Sequence, residues 1–374
     1  MSRAPSAAPT PSDRGARLES VDVLRGITIA GMIVVNDPGT WAAVYPPLLH
    51  AEWHGWTYTD TIFPFFLFLV GVSLSLSFGR RRAAGATPRD LAGHALVRGA
   101  LVVVIGLGLN AVSYLALHGE RFRIPGVLQR IGVCIAIAGP VLAAGRVRTA
   151  ALAAAILLAA YATILSLGPL DRDDSVPARV DRAVLGRHTW KPGFDPEGIP
   201  STLPAAATTL LGALAGERLR RRGATAAAAR EIAVAGAAAA AAGWAWGLAL
   251  PINKSLWTPS YALLMAGLAA LSLAAAILVV DLLGARRWLA PFLWLGRNAI
   301  AVFVLSSLGA ILLLAVRIDA GEGPRRSLWT TIYRGAFDGL ADPRLSSLLF
   351  ALAYLALWTA VAGVLYRRRI FIKI

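Results

Sequence analysis

The sequence predicts an all-α membrane protein, a polytopic bundle of about ten transmembrane helices with both termini in the cytoplasm. Of the 374 residues, 57% are hydrophobic and only 16% are charged, and the mean hydropathy is +0.62. A soluble protein of this length needs more charge to cover its surface. Several apolar runs also approach the roughly 20 residues that an α-helix needs to cross a bilayer.

Ten apolar stretches are predicted as spans of a single transmembrane domain, residues 21–374. The first 20 residues are polar and lack the apolar core of a cleavable signal, so we expect a disordered cytoplasmic tail there. The spans are 21–37, 57–79, 93–115, 124–144, 149–168, 201–218, 225–249, 257–283, 288–316 and 346–366.

Short arginine clusters orient the spans, because short basic loops stay on the cytoplasmic side. The clusters follow the even-numbered spans, at 80–82, 146–148, 218–222, 286–287 and 367–369. Loop 38–56 contains no Lys or Arg and is predicted to face outward. Since the net charge of +16 is divided among these loops, we expect a lipid bilayer and no nucleic acid as partner. Loop 317–345 includes a predicted interfacial helix with Trp329 and Tyr333 at headgroup level.

The stretch LHAEWHGWTYTDTIFPFF, residues 49–66, is the first candidate site. His50 and His54 precede a long apolar run, and Asp60 lies inside it. A carboxylate in a membrane segment is costly and usually functional, and histidine is suited to moving a proton near neutral pH. In the alternative interpretation both histidines are solvated loop residues and Asp60 is a structural cap.

Other polar residues interrupt the predicted spans and indicate a polar interior. Asp22 and Arg25 are three residues apart, a spacing that favours a structural ion pair on one helix face. Asn36 closes the first span on the outer side. The remaining candidates are Gln129 and Arg130 in span four, Arg297 and Asn298 in span nine, and Asn253, Lys254, Trp257 and Tyr261 at the outer start of span eight.

The motifs of soluble enzymes are missing. The sequence has no Walker loop, no GxGxxG after a strand and no CxxC, and its single cysteine is Cys134. The five histidines do not have the spacing of metal ligands, so no metal is expected. A His/Asp site without metal or cysteine suits proton abstraction from an amine or a hydroxyl.

Several blocks, in order, resemble the heparan-alpha-glucosaminide N-acetyltransferase family of membrane acetyltransferases, in a bacterial form. The most specific blocks are RIPGVLQR at 123–130 and DPEG at 195–198. The others are RLESVDVLRGITIAGMIVVN, HAEWHGWTYTDTIFPFFLFLVG, LLGALAGE, NKSLWTPSY, PFLWLGRNAI and YRRRIFIKI.

The resemblance implies acetyl transfer across a membrane, here a bacterial inner membrane. Cytoplasmic acetyl-CoA is the donor, and an amino sugar on the far side is the acceptor. By its motif position His50 matches the family's active-site histidine, and Asp60 and Asn36 match two further family patterns. The family usually has asparagine at the position of His54, so we do not carry a catalytic role over to His54.

The charge distribution is compatible with an anionic donor, because basic cytoplasmic loops attract the phosphates of CoA. We expect Gln129, Arg130, Arg297 and Asn298 to line a channel for the donor. Asn253, Lys254, Trp257 and Tyr261 are expected to contact the acceptor. His50 is expected either to deprotonate the acceptor or to carry the acetyl group itself, and the sequence does not separate these mechanisms.

The main alternative is a proton-coupled permease for a sugar or an anion, in which Asp22, Asp60 and His50 relay protons. Such a transporter predicts broken helices and internal repeats, and neither is apparent in the sequence. The natural acceptor, N- versus O-acetylation and the oligomeric state, a homodimer included, stay open.

Overall fold

The computed structural model describes residues 18–319 and 325–372, which form thirteen α-helices and one two-stranded ribbon. The predicted tail, 1–20, lies outside the described residues except for its last three, and Glu19 and Ser20 already belong to the first helix. The helices are α1 Glu19–Asn36, α2 Tyr58–Ala83, α3 Pro88–Ala116, α4 Val127–Ala143, α5 Val147–Ser166, α6 Val176–Leu185, α7 Thr202–Arg222, α8 Ala226–Trp246, α9 Pro259–Ala276, α10 Ala290–Arg297, α11 Ala299–Ala315, α12 Leu328–Ala336 and α13 Pro343–Arg367. A π-helical turn, Ile277–Leu282, extends α9, and strands β1 Arg317–Ile318 and β2 Arg326–Ser327 pair antiparallel.

The protein is all-α, and every predicted span coincides with a helix or a helix pair. In the described part of the chain, five helices are long and apolar enough to cross a membrane: α2, α3, α5, α9 with its π-helical turn, and α13. The pair α10 and α11 adds a sixth if it counts as one span. The helix α1 matches the first predicted span but carries Glu19, Asp22 and Arg25.

The ninth span is broken, which corrects the expectation of a continuous helix over 288–316. The helices α10 and α11 meet at an angle of 86°. The break falls at Asn298, whose side chain donates to the carbonyl of Ile370 and accepts from the amide of Ile372. These two bonds fix residues 370–372 at the junction, so the bend between α10 and α11 lies where this C-terminal segment contacts Asn298.

Glycines allow the central helices to approach closely, as small residues do in membrane bundles. The helix α1 packs along α10, and α2 packs along α7. A Cβ atom on Gly26 would lie 1.8 Å from the carbonyl oxygen of Phe292, and one on Gly71 would lie 1.8 Å from that of Thr209. Backbone therefore meets backbone along both helix pairs.

The helices α1 and α2 run antiparallel, so the start of one lies beside the end of the other. The two ends of the bundle defined in this way carry different polar residues. Gly31 of α1 lies beside Tyr58 of α2, while Arg25 donates to the hydroxyl of Ser73 at 2.6 Å. We call the first level, which carries His50 and Asp60, the His50 end. The opposite level carries Asp22, Arg25 and an ion pair between Glu19 and Arg286, and we call it the arginine end.

The predicted interfacial helix forms as α12, but its aromatic residues are buried. Trp329 is 7% exposed and Tyr333 is 5% exposed. Both rings pack edge-to-face on Phe350 of α13. Both rings therefore pack within the protein on α13, and their position at headgroup level stays a prediction.

Candidate active site

The structure joins His50 to Asp60. Nδ1 of His50 lies 2.6 Å from Oδ1 of Asp60, whose side chain is 1% exposed, whereas the imidazole is half exposed. A carboxylate can only accept hydrogen bonds, so Nδ1 carries the proton. In the described part of the chain Nε2 of His50 has no hydrogen-bond partner, which leaves its lone pair facing outward in the neutral tautomer.

Asp60 also caps the start of α2, as the alternative interpretation of the sequence predicts for this residue. Its Oδ2 accepts from the backbone amides of Thr57 at 2.9 Å and Ala51 at 3.0 Å. The two oxygens thus have different tasks. One fixes the start of α2 and the turn after His50, and the other orients the imidazole, as second partners orient functional histidines elsewhere.

The loop that carries His50 is held by two neighbouring loops. Trp53 donates to the carbonyl of Leu170 at 2.8 Å, and its ring packs against Phe194 at 5.6 Å. The amide of Gly55 donates to the carbonyl of Ile252 at 2.8 Å. Segments 49–57, 170–201 and 251–258 therefore meet at the His50 end.

The predicted acceptor residues lie next to this loop, although three of the four are fully buried. Asn253, Trp257 and Tyr261 are each 0% exposed, and Lys254 is half-buried. The amide of Asn253 contacts Nδ1 of His54 at 3.4 Å. The hydroxyl of Tyr261 donates to the backbone carbonyl of Asp60 at 2.5 Å. Tyr261 therefore supports the helix turn that presents Asp60.

Arg130 lies on the other side of the same aromatic pair. The ring of Trp257 packs edge-to-face on Tyr261 and covers the Arg130 guanidinium at 5.1 Å. Trp257 has φ +52°, a left-handed conformation that is unfavourable for a bulky residue and often marks a functional site. Nη2 of Arg130 donates to Ser201 and to the carbonyl of Gly198.

Two donor groups of this region are buried without a partner among the described residues. Arg130 is 2% exposed, and its Nε and Nη1 make no hydrogen bond there. Nε2 of Gln129 is also unpartnered, but this side chain faces Gly106 of α3 rather than Trp257. A buried donor without an acceptor destabilises the folded protein. An oxygen atom of a bound ligand would supply the acceptor that Arg130 lacks.

Arg297 and Asn298 are not brought together with Arg130. Nε of Arg297 lies 3.5 Å from Oδ2 of Asp22, and Oδ1 of Asp22 pairs with Arg25 at 2.9 Å. Asn298 binds the C-terminal segment, as described above. Arg25 reaches Ser73, 13 residues after Asp60 along α2, which places this group about 20 Å from Asp60 at 1.5 Å per residue.

Asn36 lies at the exposed end of α1. Among the residues that the structure describes, Asn36 makes no hydrogen bond to His50 or Asp60. Asn36 lies at the same end of the bundle as His50, and its role in the site stays a prediction.

A charged cluster that sequence reasoning left without a role joins the two most specific motifs. Arg123 of RIPGVLQR donates to both oxygens of Asp195 of DPEG, at 2.8 and 2.6 Å, and also to Glu197. Burial alone would lower the pKa of Arg123, but the two carboxylates outweigh it and raise the pKa further. The signal available in the sequence was the charge complementarity of the two motifs.

Metal ligation is not supported within residues 18–319 and 325–372, where no three His, Cys, Asp or Glu side chains are grouped to hold an ion. Cys134 is a buried free thiol.

Comparison with known proteins decides the family. The profile of the family described as heparan-alpha-glucosaminide N-acetyltransferase, catalytic, matches residues 17–245, more than half of the chain. The chain belongs to this family. The matched region contains His50, Asp60, Arg130 and the DPEG turn, and it ends within α8.

Two named relatives are similar over a shorter region. The human protein heparan-alpha-glucosaminide N-acetyltransferase is 39% identical over 119 residues, and the mouse protein of the same name is 36% identical over 119 residues. Each match covers 31% of this chain and 18% of the relative. The chain therefore spans less than a fifth of the length of the curated relatives it matches.

Proposed function

We propose that this protein is a membrane acetyltransferase that moves an acetyl group from cytoplasmic acetyl-CoA to a glucosamine-type sugar on the outer side of a bacterial inner membrane. The observation that carries the proposal is the His50–Asp60 pair, a half-exposed imidazole held by a buried carboxylate. Family membership supports acetyl transfer as the reaction class.

In this proposal His50 acts through Nε2. With Nδ1 protonated and held by Asp60, Nε2 takes a proton from the acceptor amine as the amine nitrogen attacks the thioester carbonyl. The C–N bond forms, the C–S bond breaks and CoA leaves as the thiolate, to which the proton can return. In the alternative route Nε2 attacks the thioester first, the C–S bond breaks and CoA leaves as the thiolate. The acetyl group then passes from Nε2 to the acceptor amine, and the proton that the amine loses goes to the thiolate.

The two ends of the bundle suit the two substrates. The arginine end, with Arg297 and Asn298 near it, is positively charged and suits the anionic part of CoA. Arg130 lies at the His50 end of the path and has unpartnered donors, which suit the carbonyl groups of the acyl arm. Gln129 faces α3 and is left out of this role. Lys254 forms the acceptor side together with Asn36, and the fully buried Asn253, Trp257 and Tyr261 support this surface from within the bundle.

The orientation follows from charge. The arginine end faces the cytoplasm, and both termini lie there, because the short arginine loops belong to one side. The contact of Arg297 with both Asp22 and the Phe371 ring supports this, since it brings the start of α1 and the C-terminal segment together. Ten spans and a bilayer around them are part of the proposal, and a homodimer is left to measurement.

The experiment is transfer from radiolabelled acetyl-CoA by purified protein in detergent to a panel of glucosamine glycosides. Transfer in the wild type and its loss in His50→Ala support the proposal. The melting temperature provides a second measurement, because a ligand that binds the folded state raises it by mass action. Acetyl-CoA is expected to raise the melting temperature in both proteins.

The permease alternative gains one observation, the 86° break between α10 and α11, since broken helices are frequent in transporters. The break, however, receives the C-terminal segment through Asn298. Uptake of a sugar into proteoliposomes without acetyl-CoA, combined with no acetyl transfer, would favour the permease.

A further inference from the structure

The DPEG turn contains two carboxylates, Asp195 and Glu197. Both oxygens of Asp195 accept hydrogen bonds, whereas only one oxygen of Glu197 does. Asp195 is 2% exposed, and its oxygens accept from Arg123 and from the amides of Trp190 and Glu197. Asp195 therefore holds the turn together. Glu197 accepts from Arg123 through Oε2 only, and its Oε1 has no hydrogen bond to any residue in the described part of the chain.

The free oxygen of Glu197 belongs to a nearly buried side chain. Glu197 is 9% exposed, yet Oε1 is absent from the fully enclosed unpartnered atoms of the described residues, so it borders accessible space. Only water or a bound molecule in that space can donate to this oxygen. A donor from a bound molecule would satisfy it.

Three cations keep this carboxylate ionised. Burial would raise the pKa of Glu197, but the positive charges of Arg123, Lys254 and Arg130 outweigh it and hold the pKa well below its usual range. Glu197 therefore stays an acceptor of hydrogen bonds at neutral pH. The ammonium group of Lys254 has no hydrogen-bond partner and forms no salt bridge with Glu197 in the described part of the chain, so it can donate to a bound molecule near this carboxylate.

The Glu197–Lys254 pair lies beside the His50 loop. Phe194, which immediately precedes the DPEG turn, packs on Trp53. Asn253, which precedes Lys254, contacts His54. Both segments that flank the pair thus touch the segment 50–55, at the end of the bundle opposite to the Asp22–Arg297 group.

We infer that Glu197 and Lys254 recognise the acceptor sugar and set its chemical class. Glu197 Oε1 accepts from the amine or a hydroxyl of the sugar, and Lys254 donates to a neighbouring hydroxyl oxygen. An acceptor and a donor at the same end of the bundle can bind two different polar groups of one amino sugar. This inference rests on the proposed function for the identity of the ligand.

The test measures binding of methyl glucosaminide by its effect on the melting temperature, so it does not require turnover. We expect Glu197→Gln to weaken binding about tenfold or more, since a hydrogen bond to a charged group contributes about 1.5–3 kcal/mol. Acetyl-CoA binding should be unchanged. The turn should persist because Asp195 keeps both bonds to Arg123. Glu120→Gln, which removes an exposed carboxylate from the neighbouring loop 117–123, is the matched control and should bind like wild type.

Lys254→Gln should weaken sugar binding in the same way, with the exposed Lys191→Gln as its control. In transfer assays both site variants should raise the acceptor KM and leave kcat within a few-fold. If Glu197→Gln binds methyl glucosaminide like wild type, the inference is wrong. If it loses acetyl-CoA binding and sugar binding together, Glu197 is structural and the inference is wrong as well. A wild type that binds the sugar through Glu197 but transfers no acetyl group would refute the proposed function and leave this inference standing.

Discussion

At the scale of single residues, His50 and Asp60 are separated by nine residues and share one hydrogen bond. We expect His50→Ala to lower transfer by about 10²- to 10⁴-fold, the usual cost of losing a general base. His54→Asn should stay active, because His54 contacts Asn253 rather than Asp60. Steady-state transfer rates of both variants check this. Near-normal turnover of His50→Ala would remove the catalytic role, and an inactive His54→Asn beside it would move the role to His54.

Asp60 is expected to act through His50. Asp60→Asn should reduce transfer strongly, since an amide no longer fixes the tautomer of the imidazole. The double variant His50→Ala, Asp60→Asn should then be no slower than His50→Ala, because groups that act as a unit are not additive. Comparing transfer rates in this double-mutant cycle checks the coupling. Full additivity would mean that Asp60 contributes independently of His50.

The buried Asp181 of α6 gives a pH dependence of stability. Burial raises its pKa from 3.8 to about 6, against one hydrogen bond from the amide of Ile199. The folded protein therefore holds a proton that the unfolded chain has lost, and this stabilisation is complete below about pH 4 and disappears as the pH rises through 6. Thermal unfolding in detergent should show it. Asp181→Asn should remove this slope, whereas Asp174→Asn, an exposed neighbour, should retain it.

At the scale of secondary-structure elements, close helix packing makes glycine necessary at particular positions. A Cβ atom on Gly26 would lie 1.8 Å from the backbone oxygen of Phe292. Gly26→Ala must therefore separate α1 from α10, and this overpacking should lower the free energy of unfolding by about 1–3 kcal/mol. Gly93→Ala in α3 is the control, because a Cβ there meets nothing within 4 Å and alanine favours a helix.

Melting temperatures of the two glycine variants check this packing. Gly26→Ala should melt several degrees lower than wild type, and Gly93→Ala at or above it. Equal melting temperatures would mean that α1 and α10 separate without cost, and that the segment after Asn298 is free to move with them.

At the scale of the whole molecule, orientation in the membrane is the principal prediction. We expect the His50 end outside and the arginine end inside. Ala43→Cys and Ala84→Cys place a thiol in loops at opposite ends, and the native Cys134 is buried. An impermeant thiol reagent added to intact cells should label Cys at position 43 only. Labelling at position 84 alone would invert the topology.

The sequence by itself determined the helical class, the positions of the helices and the pair of residues at the first candidate site. Apolar runs and arginine loops carry this information locally, because a helix in lipid must satisfy its own backbone. Asp60 was identified for the same reason, since a carboxylate at the start of an apolar run is unusual wherever the chain goes next. The resemblance to the family distinguished His50 from His54.

Only the tertiary structure decided which distant residues meet. Arg123 and Glu197 are 74 positions apart and pair across two loops, while Arg130 and Arg297 have similar polar surroundings in sequence but lie at opposite ends of the bundle. The sequence could not predict the break at Asn298 either, because Asn298 is held there by residues 370 and 372, more than 70 positions away. Local hydropathy fixes where a helix forms, whereas packing between helices fixes which polar side chains share a site.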